Sequence, residues 1–267
     1  MTPHRTILIL MAAFLSLGQA AAQERTVTVG VPAGPLVQLV QSLGAAFRAE
    51  TGIAVAAAEV KPDGAPSTAG FDAVLLPHRM LERLPQGHPP PRTVFRGDVI
   101  LVGSRAEMAR VRGLKDIKMA LRWIASARGT YMSSSPSLGT RELELALWNG
   151  IGVNVQTRLT WYSESRGNEA EVLRQAGNLG AYVLVERMTW AAQANQRGLE
   201  VLVAGDPILR TDYASVLTRD GREEAVAWHD WLSSDSAQAV IAEFSLGGVR
   251  IFTSAKGHDG DGRPPRT

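Results

Sequence analysis

The spacing of apolar and polar positions changes period along this chain. From Thr26 to Val31 (TVTVGV) β-branched residues alternate with others at a period of two, the spacing of a strand. Leu36, Leu39, Val40, Leu43 and Phe47 then recur at helical spacing, and Gly52 stops that helix because glycine accepts the left-handed conformation of a helix end. Ile53–Val60 predicts a second strand, Phe71–Leu76 (FDAVLL) a short buried one, and Asp98–Gly103 (DVILVG) a strong one. Turn chemistry fills Lys61–Gly70, and a proline-rich connection ends at Pro91.

Further helices are predicted over about Asp116–Ser126, Arg141–Trp148, Asn168–Gly177, Thr189–Asn195, Glu223–Leu232 and Ser236–Phe244. Strand-like segments intervene at Thr157–Trp161, Ala181–Val185, Leu199–Val203 and Tyr213–Thr218. Regular alternation of this kind implies α/β architecture with mainly parallel sheets. Ligands in such folds sit beyond the carboxyl ends of strands. The turns at Pro32, Ser133 and Tyr162 lie at such ends.

The first residues bear on compartment. His4 and Arg5 precede an apolar run from Ile7 to Leu17, and Ala20-Ala21-Ala22 offers small residues before Gln23, so residues 1–22 read as a cleavable signal peptide, too short in its apolar core to span a bilayer. The chain has no cysteine, which excludes a disulfide framework and a lipid-modified cysteine after cleavage. The expected location is the periplasm. Removing Arg5 with the signal leaves about 27 basic against 26 acidic residues, a balance that argues against nucleic acid or an anionic membrane as the main partner. The glycine- and proline-rich segment 256–267 reads as a disordered tail.

Candidate chemistry concentrates in Tyr131–Trp148 (YMSSSPSLGTRELELALW), where a strand end passes through a serine-rich turn into an amphipathic helix. Ser133, Ser134, Ser135, Ser137 and Thr140 place five hydroxyls, with the N–H groups around Gly139, where a helix leaves its first N–H groups unpaired. Such a terminus attracts anions, each hydrogen bond to a charged acceptor contributing about 1.5–3 kcal/mol. The same residues also read as a plain helix cap, with Ser137 or Thr140 closing the first turn. Tyr162, Glu164 and Arg166 share a second loop, in which Arg166 is either a ligand contact or a solvated side chain, and Tyr162 either lines the site or packs on Trp161. His78, His88, His229 and His258 show no metal-ligand spacing, and no nucleophile elbow or phosphate-binding loop is present. Trp228 and Trp231 lie at helical spacing and read as core.

Taken in order, ETGIAV after the first helix, FDAVLL, DVILVG, SLGTRELELALW, WYSES, GAYVLVER, VLVAGDPILRTDYASVL and the closing WLSSDSAQAVIAEF resemble the periplasmic tungstate-binding proteins of bacterial ABC uptake systems, a branch of the type II solute-binding family. The similarity runs from roughly Thr26 to Phe252. It implies a two-lobed type II periplasmic binding fold: a first lobe at 23–102 that returns at 213–255, and a second at 103–212, closing over a small oxyanion. It also implies a protein that is not an enzyme, carries no cofactor or metal, and delivers a small anionic solute to an inner-membrane ABC permease.

The departures bear on the ligand. Where the family's first strand ends in T-T-T-S, this chain has Gly30, Val31, Pro32 and Ala33, without a hydroxyl. The family's second cradle, S-R-G-D-D-S-G-T, corresponds to Ser133 through Thr140, so that its arginine is Ser134 here. A glycine-rich helix start is replaced by Lys61 through Pro66, and a G-Q-G-M turn by the loop that carries Arg166. Site residues carried over are Ser133, Ser134, Ser135, Gly139, Thr140, Tyr162 and Arg166 from the second lobe, with Pro32, Ala33 and Gly34 from the first through shape and backbone. A rival expectation is a solute-binding scaffold repurposed as a periplasmic accessory or sensor that contacts a protein partner.

Overall fold

The computed structural model describes residues 25–60, 68–84, 87–106, 108–135, 139–193, 196–218 and 222–255. Residues 1–24, which hold the segment read as a signal peptide, the Lys61–Pro66 segment, Pro136, Ser137 and Leu138, and the residues from Lys256 onward lie outside the described residues.

Strand β1 (Thr26–Pro32) runs into helix α1 (Pro35–Thr51), which Gly52 ends at φ 74°. Strands β2 (Ala54–Val60) and β3 (Ala73–Pro77) flank β1, both parallel to it. The one-turn helix α2 (His78–Leu81) follows, then the long strand β4 (Arg92–Ser104). Next come α3 (Ile117–Ala127), β5 (Tyr131–Met132), α4 (Thr140–Gly150), β6 (Tyr162–Ser163), α5 (Glu169–Leu179), β7 (Val183–Glu186), α6 (Arg187–Ala191) and β8 (Leu199–Val203). The chain closes with β9 (Arg210–Leu217), α7 (Glu223–Trp231), α8 (Asp235–Glu243) and the two-residue strands β10 (Ser245–Leu246), β11 (Val249–Arg250) and β12 (Thr253–Ser254).

The main sheet is mixed, which corrects the expectation of mainly parallel sheets. Its strand order is β12-β4-β9-β3-β1-β2, with β7 and β8 also paired to β4. Strand β9 is antiparallel to β3 and β4, and β7, β8 and β12 are antiparallel to β4. The cause is the length of β4, whose 13 residues extend roughly 40 Å at a strand's rise, more than one group of partners covers. Arg92–Asp98 pairs with β9, whereas Val99–Ser104 pairs with β7 and β8. A strand that crosses from one group to another needs a return strand, and β9 makes that return in the opposite direction.

Four apolar clusters follow from period-two alternation along these strands. Ala73 and Leu75 of β3 join Val27, Val29 and Val31 of β1 and the buried face of α1, while Val74 and Leu76 face Ala214 and Val216 on the other side. In the second group Val99 and Leu101 of β4 pack with α3 and Trp148, and Ile100 and Val102 pack with Val172, Leu173 and Ala176 of α5. Trp228 and Trp231 belong to the first core, each ring centroid 5.3 Å from that of Phe47. At the crossing itself Phe95 stacks on Tyr213 at 4.8 Å and meets Phe252 at 4.5 Å.

Two predicted boundaries moved for tertiary reasons. Strand β4 begins at Arg92 rather than Asp98, because Arg92–Gly97 is made strand by pairing with β9. Thr157–Trp161 is not a strand, and the short strand that forms, Tyr162–Ser163, is held by pairing with Tyr131 and Met132.

Gly103 lets β4 approach the second core. A Cβ there would lie 2.7 Å from Leu202 Cδ1 and 2.9 Å from Tyr182 Cδ1, and Tyr182 is pinned because its hydroxyl accepts the Ala109 N–H at 3.0 Å. Gly103→Ala is therefore expected to destabilise the fold by about 1–3 kcal/mol through overpacking, read as a lower urea midpoint with unchanged slope. An unchanged midpoint would show that this packing is loose.

Candidate functional site

The carboxyl ends of β3, β5, β6 and β7 meet at the crossing of β4 and β9, and the polar side chains of the interior collect there. Fourteen polar or charged residues are buried among the described ones, and ten of these belong to this belt: Ser133, Ser134, Ser135, Thr140, Glu144, Ser165, Glu169, Glu186, Thr189 and Thr211. A polar group taken from water without a partner costs a few kcal/mol, so each must find a bond inside the protein or with a ligand.

The serine turn leaves β5 buried because β5 lies between β6 and Tyr182: Ser133 N–H donates to Ser163 O at 2.8 Å, and Met132 N–H to Tyr182 O at 2.8 Å. Ser134 donates its hydroxyl to Leu184 O at 2.9 Å, and Ser135 its hydroxyl to Gly167 O at 3.0 Å. Gly139, at φ 70°, is the residue before α4, and Thr140 opens the helix without capping it. Of the two readings of Thr140, the helix cap does not hold: its hydroxyl leaves its own helix and donates to Glu169 Oε1 at 3.0 Å. A Cβ at Gly139 would stand 3.2 Å from Arg79 Cβ, so glycine is needed both for the positive φ and for the approach of α2.

Tyr162 stacks on Tyr131 at 5.7 Å and donates its hydroxyl to Glu144 Oε1 at 2.6 Å. Glu144 also accepts the Ser134 N–H. Burial raises the Glu144 carboxyl, and the bonds from Tyr162 and Ser134 act against that rise. Arg141 reaches back from α4, donating to Ser133 Oγ and pairing with Glu164. Ser134 stands where the resemblance expects a cradle arginine, and the neighbouring guanidinium belongs to Arg141, which the sequence analysis did not single out.

The structure does not bring every candidate together. Arg166 is exposed and has no hydrogen bond or ion pair among the described residues. Pro32 is the buried last residue of β1, while Ala33 and Gly34 are exposed before α1, with Gly34 at φ 114°. Among the described residues no hydrogen bond joins Pro32, Ala33 or Gly34 to the serine turn.

Sequence reading also missed the charged centre of the belt. Glu169 accepts the Thr140 hydroxyl, the Glu186 N–H at 3.1 Å and the Thr189 hydroxyl. Glu186 accepts the Thr211 hydroxyl at 3.1 Å, and Arg79 Nη1 stands 3.7 Å from the same carboxylate oxygen. Arg79 Nη2 donates to Thr211 Oγ1 at 2.8 Å and to Arg210 O at 3.2 Å. Nearby, Arg187 clamps Asp98 at the crossing with two bonds of 2.6 Å. Burial, followed by the charge of Glu169, pushes Glu186 up to about 8, and burial raises Glu169 as well. The acidic residue at the N-cap-plus-one position of α5 was a weak signal, since acids at helix starts are common. No group of three metal-ligating side chains occurs among the described residues.

A proton linkage follows. Glu186 titrates near its ordinary 4.5 in the unfolded chain and near 8 in the folded one, so between these values the folded state holds a proton that the unfolded state has lost. Stability is expected to fall as pH rises through that window, by up to about 1.4 kcal/mol per pH unit, and to level off above it. Glu186→Gln should flatten this slope in urea denaturation measured from pH 5 to 9. An equally steep slope in the variant would assign the linkage elsewhere.

Residues 27–244 match the family model for bacterial extracellular solute-binding protein. The tungstate-binding protein TupA of Peptoclostridium acidaminophilum is 27% identical over 172 residues, covering 61% of this chain and 59% of that protein. The chain spans between half and about three fifths of the length of the curated relatives it matches. Among solved structures, the tungstate-binding protein TupA from Desulfovibrio alaskensis G20 superposes with a TM-score of 0.70 at 21% identity, covering 86% of this chain and 98% of that one. The tungstate ABC transporter structure from Geobacter sulfurreducens gives a TM-score of 0.70 at 20% identity, covering 83% and 99%. At such identities the structural likeness is one of fold, and the match of the family model over most of the chain carries the assignment: this chain belongs to the bacterial extracellular solute-binding protein family.

Proposed function

We propose that this protein is the periplasmic solute-binding component of an ABC uptake system, holding a small acid or oxyanion between two lobes and presenting the closed form to an inner-membrane permease. Its family binds solutes rather than transforming them. The observation that carries the reading is the belt of buried hydroxyls and carboxylates, with the half-buried guanidinium of Arg79 beside it, between two sets of apolar clusters. A fold optimised for stability alone would fill such a seam with apolar side chains.

In this reading one lobe comprises residues 23–102 with the return at 213–255, the other 103–212, and β4 and β9 serve as the two crossovers. Solute contacts made from both lobes exist only when the lobes close, so binding shifts an open–closed equilibrium about those strands. Ser133, Ser134, Ser135, Gly139, Thr140 and Tyr162 would form the second lobe's wall, with Arg141 behind Ser133. Arg166 would join them on closure or remain in solvent. Pro32, Ala33 and Gly34 would contribute backbone and shape from the first lobe. Micromolar affinity needs about 8 kcal/mol net, which a few charged hydrogen bonds of about 1.5–3 kcal/mol each can supply.

One observation favours the rival role as an accessory or sensor. The hydroxyl protons of Ser134, Ser135 and Thr140 are already given to Leu184 O, Gly167 O and Glu169, and the Gly30–Ala33 turn offers no hydroxyl. A scaffold released from transport would settle its polar groups in this way.

Isothermal titration of the mature protein with tungstate, molybdate, sulfate, phosphate and a series of small organic acids separates the two. Saturable one-to-one binding of a member of the panel is expected. Silence across the panel would overturn the transport reading and leave the accessory role.

A further inference from the structure

Three donors from three elements converge on the Glu169 carboxylate: the Thr140 hydroxyl from the start of α4, the Glu186 N–H from the end of β7, and the Thr189 hydroxyl from α6. This is the coordination that a captured carboxylate or oxyanion would receive at such a place, and a side chain of the protein itself takes it. Beside it, Arg79 Nη1 is buried and has no hydrogen-bond acceptor among the described residues, its nearest carboxylate oxygen lying 3.7 Å away on Glu186. One acceptor position is therefore filled from within, and an adjacent charged donor is open.

We propose that Glu169 determines the charge specificity of the interlobe site: its carboxylate occupies the acceptor position at Thr140, leaving the site to solutes with at most one negative charge, which Arg79 Nη1 receives. The inference rests on the solute-capture reading and deepens it. The charged and titratable groups around the pair are Glu186 at the end of β7, Arg79 from α2, the Asp98–Arg187 pair from β4 and α6, and the Tyr213 hydroxyl from β9. Asp98 and Arg187 neutralise each other. Arg79 alone then faces two carboxylates and the solute. A monoanion is accommodated while the Glu186 carboxyl holds a proton. A tetrahedral dianion brings surplus negative charge into a place closed to water, where screening is weak.

Tungstate is the probe, titrated near neutral pH into the full mature chain and into Glu169→Gln and Glu169→Ala. The wild type is expected to bind tungstate weakly or not at all, and both variants to gain roughly tenfold or more in affinity, with Glu169→Ala ahead because it also vacates the volume of the carboxylate. Circular dichroism and thermal melts establish that the variants fold, and Glu169→Gln, which keeps the shape, carries the test if Glu169→Ala does not. Tungstate binding by the wild type as tight as that of the variants overturns the proposal, as does a folded variant with no gain. The failures are distinguishable: tight wild-type tungstate binding, or a folded variant with no gain, sinks the specificity role and keeps solute capture, whereas a wild type silent across the whole panel sinks solute capture and the specificity role with it.

Discussion

Taking an ionised carboxylate out of water costs several kcal/mol unless donors replace the lost hydration, and this chain buries three, Glu144, Glu169 and Glu186, in one belt. At a separation of about 5 Å and an effective dielectric of about 20, two like unit charges repel by about 3 kcal/mol. The surrounding structure meets that constraint group by group. Tyr162 and the Ser134 N–H serve Glu144, while Thr140, Thr189 and a β7 amide serve Glu169. Thr211 and the charge of Arg79 serve Glu186, whose remaining imbalance is taken up by a proton. Because these partners come from α2, α4, α6, β6, β7, β9 and the turn after β5, the polar belt links the two sets of apolar clusters.

The strands set where that belt can be. Val99 and Leu101 face one cluster and Ile100 and Val102 the other, so β4 cannot slip by a residue without exchanging the two faces. The Asp98–Arg187 clamp and the Phe95–Tyr213 stack hold the crossing where β4 changes partners. With β4 and β9 fixed, the ends of β3 and β7 are brought near each other, and Arg79 meets Glu186. A half-buried guanidinium between two strand ends is an expensive way to build a core.

The relatives place the chain in its family, and the departures locate what is particular to it. Ser134, where the resemblance implies a cradle arginine, is uncharged, yet Arg141 donates to the adjacent Ser133 hydroxyl. Hydroxyls are missing after β1, yet a carboxylate stands among the donors at Thr140. Both changes alter the charge that the seam presents while the fold around it, matched at a TM-score of 0.70 to a tungstate-binding protein, is retained.

What the sequence determined by itself was local. Alternation located β1, a short buried apolar run located β3, helical spacing located α1, and Gly52 marked the end of α1, because these signals depend on which face of one element must be dry. The segment order was also enough to reach the family, and the hydroxyl-rich start of α4 pointed to the region where buried polar groups collect. Tertiary structure alone decided that β4 starts at Arg92, that the sheet is mixed, and that Thr140 serves Glu169 rather than its own helix. It alone joined Arg79, Glu169 and Glu186, residues far apart in the chain that no sequence motif singled out. Strand pairing, burial and the upward shift of a carboxyl beside another are properties of groups brought together from distant segments, and no single segment carries a record of its partner.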